Sequence, residues 1–367
     1  MLTWIEISKS AIEHNIKQFR KLVGNDVLLM PVIKSNAYGH GFLEIAKILN
    51  TNKEINRISV VNLNEAVELI DNKLTKKQIQ ILSFFDWDEE KIKKAIKNQV
   101  IFPIYSLNYA NKLNKLGERL NTKVKIAIKI DTGTTRIGFL PNQAIKNIRI
   151  INKLNHLNIT DIYSHFASSE EDNTQTKKQN LIFNKILKET EKENIKIPFK
   201  HITCSAATIV HPNTHFNAVR FGISLYGLHP SKNTENKIKL KPTLSWYTKV
   251  IQVKDISKGT KVSYGGTFTA KKEMKIAVLP IGYFDGYDRG MSNHAKVVIK
   301  GQKCPVLGRI CMNLTIIDVS KIKNTKAGDK VALINGKITA DDLAKWADTI
   351  NYEIVTRINS KIPRFIK

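Results

Sequence analysis

A lysine ends a hydrophobic run near the start of the chain, in the stretch MPVIKSNAYGHG (residues 30–41). The run at residues 27–33 is typical of a strand buried on both faces, and Lys34 stands at its carboxyl end. Asn36, Gly39 and Gly41 indicate a loop before a helix predicted for FLEIAKIL. A desolvated lysine there could form a Schiff base with a carbonyl cofactor. Alternatively, Lys34 marks the strand end and extends its ammonium to water, and the local pattern leaves both interpretations open.

Eight apolar runs, each typical of a strand, alternate with amphipathic helical patterns over residues 27–223. The runs are VLLMPVIK, RISVVN, QIQILSF, VIFPIYS, KVKIAIKID, NITDIYSHF, KHITCS and NAVRFGI. In the helical pattern PNQAIKNIRIINKL, Pro141 suits the first turn, and Ala144, Ile148 and Ile151 fall on one face. This alternation predicts an α/β fold with an N-terminal (β/α)8 TIM-type barrel. A doubly wound open sheet is the alternative, but no GxGxxG motif opens a helix.

The sequence changes in character near residue 235, where β-branched runs are interrupted by Gly and Pro. This pattern predicts a mostly β C-terminal domain at residues 235–367, after a barrel domain at residues 11–234. The opening strand TWIEIS precedes a helix and has no earlier strand to pair with. Residues 1–10 are therefore predicted to join the C-terminal domain.

The composition is ordinary for a globular protein, with 42% hydrophobic and 25% charged residues. No run approaches the roughly 20 apolar residues of a membrane span. The N-terminus carries no basic-then-apolar signal pattern, so we expect a cytoplasmic protein without a membrane partner. Three cysteines without a CxxC pair favour neither a disulfide framework nor a zinc site, so we expect no metal.

The net charge of +27 suggests nucleic-acid binding as a further hypothesis. However, the lysines are scattered over predicted helix faces, as in EKIKKAIKN, rather than gathered into one tract. The chain is also rich in Lys, Ile and Asn throughout. We therefore expect no specific nucleic-acid partner.

Seven motifs along the chain resemble those of the alanine racemases, which are pyridoxal 5'-phosphate (PLP) enzymes built as a barrel plus a β domain. The motifs are VIKSNAYGHG, KIDTGTTRIGF, YSHFASSE, NAVRFGISLYG, VSYGGTFTA, PIGYFDGY and GRICMNL. They recur in the family's order from near residue 30 to about residue 313, across both predicted domains. One such motif would be a weak signal, but seven in order make chance a poor explanation.

The resemblance implies that Lys34 binds PLP covalently and acts as one of two acid/base groups. It also implies that Tyr38 binds the phosphate and that Ser205, with the backbone of Gly222 and Ile223, completes the phosphate site. From its place in TCSAAT, Ser205 is also interpreted as a helix N-cap, a position that itself attracts anions.

Arg220 is implied to face the pyridine nitrogen of PLP. A guanidinium does not give up its proton, so the ring would be a weaker electron sink and reprotonation at Cα would be favoured. His165 is implied to pack on the ring and to bond to Arg220. Without the other motifs, we would interpret Arg220 as a salt-bridge partner and His165 as structural.

Racemisation needs a second proton carrier on the face of the planar carbanion opposite Lys34, and the resemblance implies that Tyr264 in VSYGG is this group. In the family, the counterparts of Tyr264, Met312 and Tyr283 reach the site from the other subunit. A homodimer with shared sites is therefore implied. Taken alone, Tyr264 would be interpreted as sheet packing, because tyrosine is common in strands.

Arg136 in DTGTTRIG is implied to bind the substrate carboxylate, a role that suits its fork geometry. Lys129 stands seven residues earlier, and two cations held close together repel each other. Family members often carry a carbamylated (N6-carboxylated) lysine at this place, which implies the same modification of Lys129. The alternative pairs Lys129 with Asp131 or another acid.

Two positions depart from the family's pattern. Asn313 stands where an aspartate is common, and Ser360 where some relatives have a phosphate-contacting tyrosine. Serine is too short to make the same bond without a bridging water. These differences affect the expected affinity for PLP rather than the type of reaction.

We therefore predict a PLP-dependent racemase that interconverts L-alanine and D-alanine and supplies D-alanine for peptidoglycan. A serine or broad-specificity racemase is an alternative, because small pocket changes decide side-chain choice. Arg220 argues against a barrel-fold amino-acid decarboxylase, and Tyr264 in a second domain argues against a non-catalytic PLP carrier. A nucleic-acid-binding module is the remaining alternative.

Overall fold

Two structural units make up the part of the chain that the computed structural model describes, residues 1–83 and 86–367. One unit, called the barrel unit here, comprises Ala11–Lys34 and Ile45–Lys241. The other, called the β unit, comprises Met1–Ser10, Ser35–Glu44 and Pro242–Lys367. None of the helices within these described ranges is long and apolar enough to span a bilayer.

The strands are numbered in chain order. They are β1 Trp4–Ile7, β2 Leu28–Pro31, β3 Arg57–Val60, β4 Gln78–Ile81, β5 Phe102–Ile104, β6 Val124–Lys129, β7 Leu157–Tyr163, β8 Phe199–His201, β9 Ala218–Phe221, β10 Leu244–Lys249, β11 Gln252–Ile256, β12 Lys261–Val262, β13 Phe268–Thr269, β14 Met274–Leu279, β15 Lys296–Ile299, β16 Gln302–Pro305, β17 Thr315–Asp318, β18 Lys330–Ile334 and β19 Arg364–Ile366.

Ten right-handed α-helices lie within the described residues. They are Lys9–Val23, Phe42–Thr51, Leu63–Asp71, Glu89–Lys97, Leu107–Arg119, Pro141–Asn152, Asn173–Lys192, Ser205–Val210, Ala340–Ala347 and Asn351–Thr356. Short 3-10 turns lie at Pro212–Thr214, Ile223–Tyr226, Lys232–Thr234, Tyr264–Gly266, Tyr283–Asp285 and Arg289–Met291.

The barrel unit contains all eight predicted strands, β2 to β9, and its strand pairs are parallel. The sheet segments are β2 with β9, β3 with β4, and β5 to β8 in order. Single bridges join β2 to β3 and β4 to β5, and a hydrogen bond joins β8 to the residue before β9. Because the first and last of these strands pair with each other, the predicted α/β barrel is confirmed. The end of the predicted strand QIQILSF, Phe84, lies outside the described residues.

The helices of the barrel unit are amphipathic and bury one face. Helix Pro141–Asn152 has Pro141 in its first turn and buries Ala144, Ile148 and Ile151, as its sequence pattern predicts. Asp88 and Asp172 cap the helices that follow them by accepting hydrogen bonds from backbone N–H groups of the first turn. These helices fix the strands whose carboxyl ends carry the candidate site.

The β unit is built around a six-stranded sheet of order β16-β15-β18-β10-β1-β19. β1 is antiparallel to β10, with Trp4 opposite Tyr247, so the first strand belongs to this sheet. A three-stranded sheet, β11-β14-β17, and the β12–β13 hairpin complete the strand-rich domain. Along the chain, the two units divide between Lys241 and Pro242, slightly after the change in sequence character.

Candidate active site

Lys34 lies just beyond the carboxyl end of β2, the end at which barrel folds carry their functional groups. The preceding residue is fixed, because the N–H of Ile33 donates to the carbonyl of Ser59 at 3.0 Å. The side chain of Lys34 is half-buried. Burial lowers the pKa of its amine, the charge of Arg136 lowers it further, and Glu65 partly opposes both. A larger fraction of the amine is therefore unprotonated, and this is the form that attacks a carbonyl.

A left-handed helical turn follows Lys34, where the sequence predicts a loop. Ser35, Asn36, Ala37 and Tyr38 have φ angles of 56°, 55°, 51° and 53°. Residues with a side chain rarely adopt this conformation, and it costs about 1–2 kcal/mol per residue. Strain of this kind persists only where surrounding contacts enforce it, and it concentrates at functional sites.

Contacts within the β unit hold this turn in place. The carbonyl of Gly39 accepts hydrogen bonds from Nε and Nη2 of Arg364, at 3.1 and 2.9 Å. His40 is buried and its Nδ1 lies 2.9 Å from the carbonyl oxygen of Tyr38. The rings of Tyr38 and Tyr352 lie 6.3 Å apart, centre to centre. Tyr352 is a second tyrosine beside the predicted phosphate ligand, and its sequence context did not indicate this position.

Arg220, on β9, is 4% exposed, and its guanidinium donates hydrogen bonds to backbone carbonyl oxygens. Its Nη2 donates to the carbonyls of Ser164 and Ile202, at 2.7 and 3.1 Å. The same nitrogen lies 3.3 Å from Nδ1 of His165, and Nη1 contacts Nδ1 of His201. Burial lowers the pKa of the Arg220 guanidinium to about 10, so it remains a cation at neutral pH.

His201 connects Arg220 to a buried acid, a link that the sequence analysis missed. Its Nε2 lies 3.3 Å from Oδ1 of Asp161, which also pairs with Arg57. Burial and the charge of Arg220 lower the pKa of His201 to about 3, so the ring is neutral. Burial alone would raise the pKa of Asp161, but His201 and Arg57 hold it below its usual value. The sequence feature that could have indicated this link is His201 itself, a histidine inside the predicted strand KHITCS.

Lys129 lies at the end of β6, over the ring of Tyr163 on β7. Its Nζ is 4.4 Å from the ring centre, and the guanidinium carbon of Arg220 is 5.5 Å from the same centre. Burial, with the charges of Arg220 and Arg136, brings the pKa of the Lys129 amine well below its usual value. The charges of two guanidinium groups, those of Arg136 and Arg220, therefore act on the Lys129 amine and disfavour its protonated form.

Asp131 organises the loop that carries Arg136. Its two carboxylate oxygens accept hydrogen bonds from four consecutive backbone N–H groups, those of residues 133 to 136, at 2.7–3.1 Å. Burial raises the pKa of this carboxyl, but the four donors lower it below the usual range. At Gly138 (φ 140°), a Cβ would lie 2.5 Å from the backbone nitrogen of Asp131, so glycine allows the loop to close. Arg136 is exposed, and its charge acts on Lys34 and Lys129.

Ser205 lies beside Gly222 at the ends of neighbouring barrel segments. Its Oγ accepts hydrogen bonds from the N–H groups of Gly222 and Ser224, at 3.0 and 3.5 Å. The interpretation of Ser205 as an N-cap was wrong, because it is the first helical residue and Cys204 is at the cap position. Ile223 begins the 3-10 turn that follows Gly222.

The remaining candidate residues lie in the β unit, in a group of exposed apolar side chains called the Tyr264 face here. It consists of Tyr264, Tyr283, Phe284, Met312 and Leu314, which are 69%, 42%, 58%, 53% and 41% exposed. Backbone hydrogen bonds join two of its segments, from the N–H of Tyr283 to the carbonyl of Cys311 and from that of Phe284 to the carbonyl of Met312. Exposed apolar patches of this kind mark interaction surfaces. Asn313 is exposed beside Met312, and Ser360 is exposed next to Asn359, whose side chain donates to the carbonyl of Phe284 at 3.1 Å.

A closed barrel that carries an amine of lowered pKa at a strand end, with the charge of Arg136 acting on it, is typical of barrel enzymes. Residues 7–230 match the family described as "Alanine racemase, N-terminal domain", and residues 243–366 match "Alanine racemase, C-terminal domain". The chain belongs to the alanine racemase family.

Individual relatives are similar to the chain over nearly its whole length. The alanine racemase of Methanococcus maripaludis is 42% identical, over 98% of this chain and 97% of its own. A solved alanine racemase from Clostridium difficile has a TM-score of 0.95 at 34% identity, covering 100% of this chain and 96% of its own. That of Bacillus anthracis with bound L-Ala-P has a TM-score of 0.90 at 32% identity, covering 100% and 95%.

Proposed function

We propose that this protein interconverts L-alanine and D-alanine, with PLP bound covalently to Lys34. The observation that carries the proposal is the half-buried amine of Lys34 at the carboxyl end of β2, with its pKa lowered by burial. Membership of the alanine racemase family supports the choice of reaction. Supply of D-alanine for peptidoglycan is the role typical of the family.

The described residues fit PLP. Lys34 offers the amine, and the hydroxyl of Ser205 with the backbone of Gly222, 3.0 Å apart, and of Ile223 offers polar groups for a phosphate. By the family resemblance, Tyr38 would also bind this phosphate. When bound, PLP withdraws electrons from Cα of the amino acid and makes its proton more acidic.

Arg220 would hold the ring end of the cofactor, with His165 beside it. Its N–H groups are fixed by carbonyl oxygens and by two imidazoles that burial keeps neutral. A guanidinium held in this way keeps its protons, so it does not protonate a basic ring nitrogen as a carboxylic acid would. Return of the proton to Cα is then favoured over side reactions.

Lys34 and Tyr264 would move the Cα proton on opposite faces of the substrate. The amine of Lys34 takes or returns it on one face, and the hydroxyl of Tyr264 on the other. Tyr264 is 69% exposed within the Tyr264 face, which supports a role at a surface covered by a second copy of the chain. A homodimer would then place Tyr264, Tyr283 and Met312 of one subunit at the site of its partner.

Arg136 would bind the substrate carboxylate with its forked guanidinium. Lys129 would act as a carbamate, formed when its unprotonated amine attacks CO2 and releases one proton. The lowered pKa of Lys129 supports this reaction, because only the neutral amine is nucleophilic. The resulting anion would stabilise Arg136 and Arg220, where a third cation would repel them.

The test is to incubate the PLP-loaded protein separately with L-alanine, D-alanine and L-serine and to separate the enantiomers by chiral chromatography. We expect alanine to reach an equal mixture from either side. Lys34→Ala should form no D-alanine. The control is Lys125→Ala, which removes a lysine near the amino end of β6, away from the carboxyl ends of the strands, and this variant should be active. Wild type that forms no D-alanine, or forms D-serine faster than D-alanine, would contradict the proposal.

A further inference from the structure

Ser263, the residue before Tyr264, has a backbone conformation that residues with a side chain avoid. Its φ and ψ are 63° and −175°. This region is adopted almost only by glycine, because a Cβ there meets neighbouring backbone atoms. Two glycines, Gly265 and Gly266, follow Tyr264 in the same turn. Both have positive φ angles, which glycine adopts without strain. A serine in the most demanding position therefore needs a compensating contact.

The hydroxyl of Ser263 makes that contact. Its Oγ donates to the carbonyl of Arg309 at 2.5 Å and lies 3.3 Å from Sγ of Cys311. These bonds connect the turn before Tyr264 to the segment that leads to Met312. A glycine at this position would fit the backbone better but could make neither contact.

The two segments also approach each other closely through their backbones. A Cβ on Gly308 would lie 2.5 Å from the carbonyl oxygen of Val262 and 2.9 Å from Cβ of Ser263. Val262 is buried in a cluster with Ala270, Met274, Ile276 and Leu307, which anchors both sides of the contact. These contacts fix the base of the turn. The side chain of Tyr264, in contrast, extends from the turn and is 69% exposed.

We propose that Ser263 is a positioning residue, whose hydroxyl fixes the direction in which Tyr264 extends. The inference rests on the proposed function, in which Tyr264 carries the proton on one face of the substrate. Because the phenol projects from a short turn, a small rotation at Ser263 moves the hydroxyl of Tyr264 by a larger distance. A misplacement of about 1 Å in a reacting group can reduce a rate about 100-fold.

The experiment compares Ser263→Gly, Ser263→Ala and Tyr264→Phe in the PLP-loaded protein, with Ser257→Gly, an exposed serine of the β unit, as control. The measurements are kcat and KM for racemisation, the melting temperature, and exchange of the α-proton of each enantiomer in D2O. We expect Ser263→Gly to lower kcat about 10- to 100-fold with little change in KM, at a melting temperature equal to or above that of wild type. Ser263→Ala should lose the same activity and melt at a lower temperature, because it keeps the strained backbone without the hydrogen bond.

Proton exchange separates positioning from general stability. In Ser263→Gly, exchange should slow for one enantiomer only, the same enantiomer whose exchange is lost in Tyr264→Phe. Wild-type kcat in Ser263→Gly, or equal slowing for both enantiomers, would overturn the inference while leaving the proposed function intact. Normal exchange of both enantiomers in Tyr264→Phe would instead refute the two-base proposal and, with it, the role of Ser263.

Discussion

Nη2 of Arg220 lies 3.3 Å from Nδ1 of His165, while Nη1 of the same guanidinium contacts Nδ1 of His201. Burial lowers the pKa of both histidines, that of His201 to about 3, so each ring is neutral and offers a lone pair to the cation. Arg220 is therefore held by neutral acceptors on both sides. This arrangement fixes a positive charge in the barrel without allowing its proton to leave.

Replacing Arg220 should change the balance between racemisation and transamination. A carboxyl group in Arg220→Glu can share a proton with a ring nitrogen, so we expect more pyridoxamine phosphate and pyruvate per turnover than in wild type. Arg220→Lys keeps the cation and should show no such increase. Product analysis after a single turnover measures the partition, with circular dichroism confirming equal folded content. An unchanged partition in folded, PLP-bound Arg220→Glu would show that Arg220 does not act on the ring.

Lys129 should take up CO2. With 13C-labelled bicarbonate, we expect a carbamate carbon signal in the NMR spectrum of wild type, because burial lowers the pKa of this amine. Lys129→Gln should lack the signal. Lys125→Gln, on the same strand but paired with Gln78, should keep it. If all three proteins give the same spectrum, Lys129 is not carbamylated.

Acid should destabilise the fold through its buried histidines. The pKa of His40 is lowered to about 4 and that of His201 to about 3, in both cases mainly by burial. Since an unfolded chain protonates histidine near pH 6.5, it binds more protons than the folded chain below that pH, and stability falls as the pH decreases from about 6.5 towards 4.

Urea unfolding at several pH values measures this slope. Each buried histidine contributes about 1.4 kcal/mol per pH unit to the free energy of unfolding. His40→Asn should therefore reduce the slope by about that amount, whereas His294→Asn, at an exposed position, should leave it unchanged. The same slope in wild type and His40→Asn would contradict the burial argument.

The shared site of the proposed dimer can be tested by complementation. Lys34→Ala and Tyr264→Phe are each expected to be inactive. After subunit exchange, about half of the dimers are mixed, and each has one intact site of two, so activity should recover to about a quarter of wild type. Differently tagged subunits confirm that exchange occurred. If exchange occurs and activity stays at zero, both residues act within one chain.

The periodicity of apolar residues predicts the strands and helices of the barrel well. Each of these elements buries an apolar face, which leaves a regular pattern in the sequence. The helix Ala340–Ala347 was missed, although Thr339 and Asp342 form a capping box with the required spacing. A capping box alone is a weak indication of a helix in a domain whose other segments are typical of β-strands.

Side-chain contacts between distant segments were harder to predict. Arg220 and His165 were predicted from their motifs, but His201 was not. Nothing in its local sequence distinguishes a histidine that contacts a buried arginine from one that packs in a core. The left-handed turn at Ser35 to Tyr38 could not be predicted either. Long-range contacts such as that of Arg364 with Gly39 hold it, and local propensity opposes it.

The proposed reaction requires that Lys34, and not another amine, holds PLP. Within the described residues of the barrel unit, two lysines have lowered pKa values, the half-buried Lys34 and the buried Lys129, so Lys129 is an alternative attachment point for PLP. Borohydride reduction of the PLP-loaded protein makes the link to the lysine permanent, and tryptic peptide mapping then locates the label. We expect a single labelled peptide, residues 22–47, in which cleavage at Lys34 is blocked. Label in residues 126–136, the peptide that contains Lys129, or no labelled peptide at all, would contradict it.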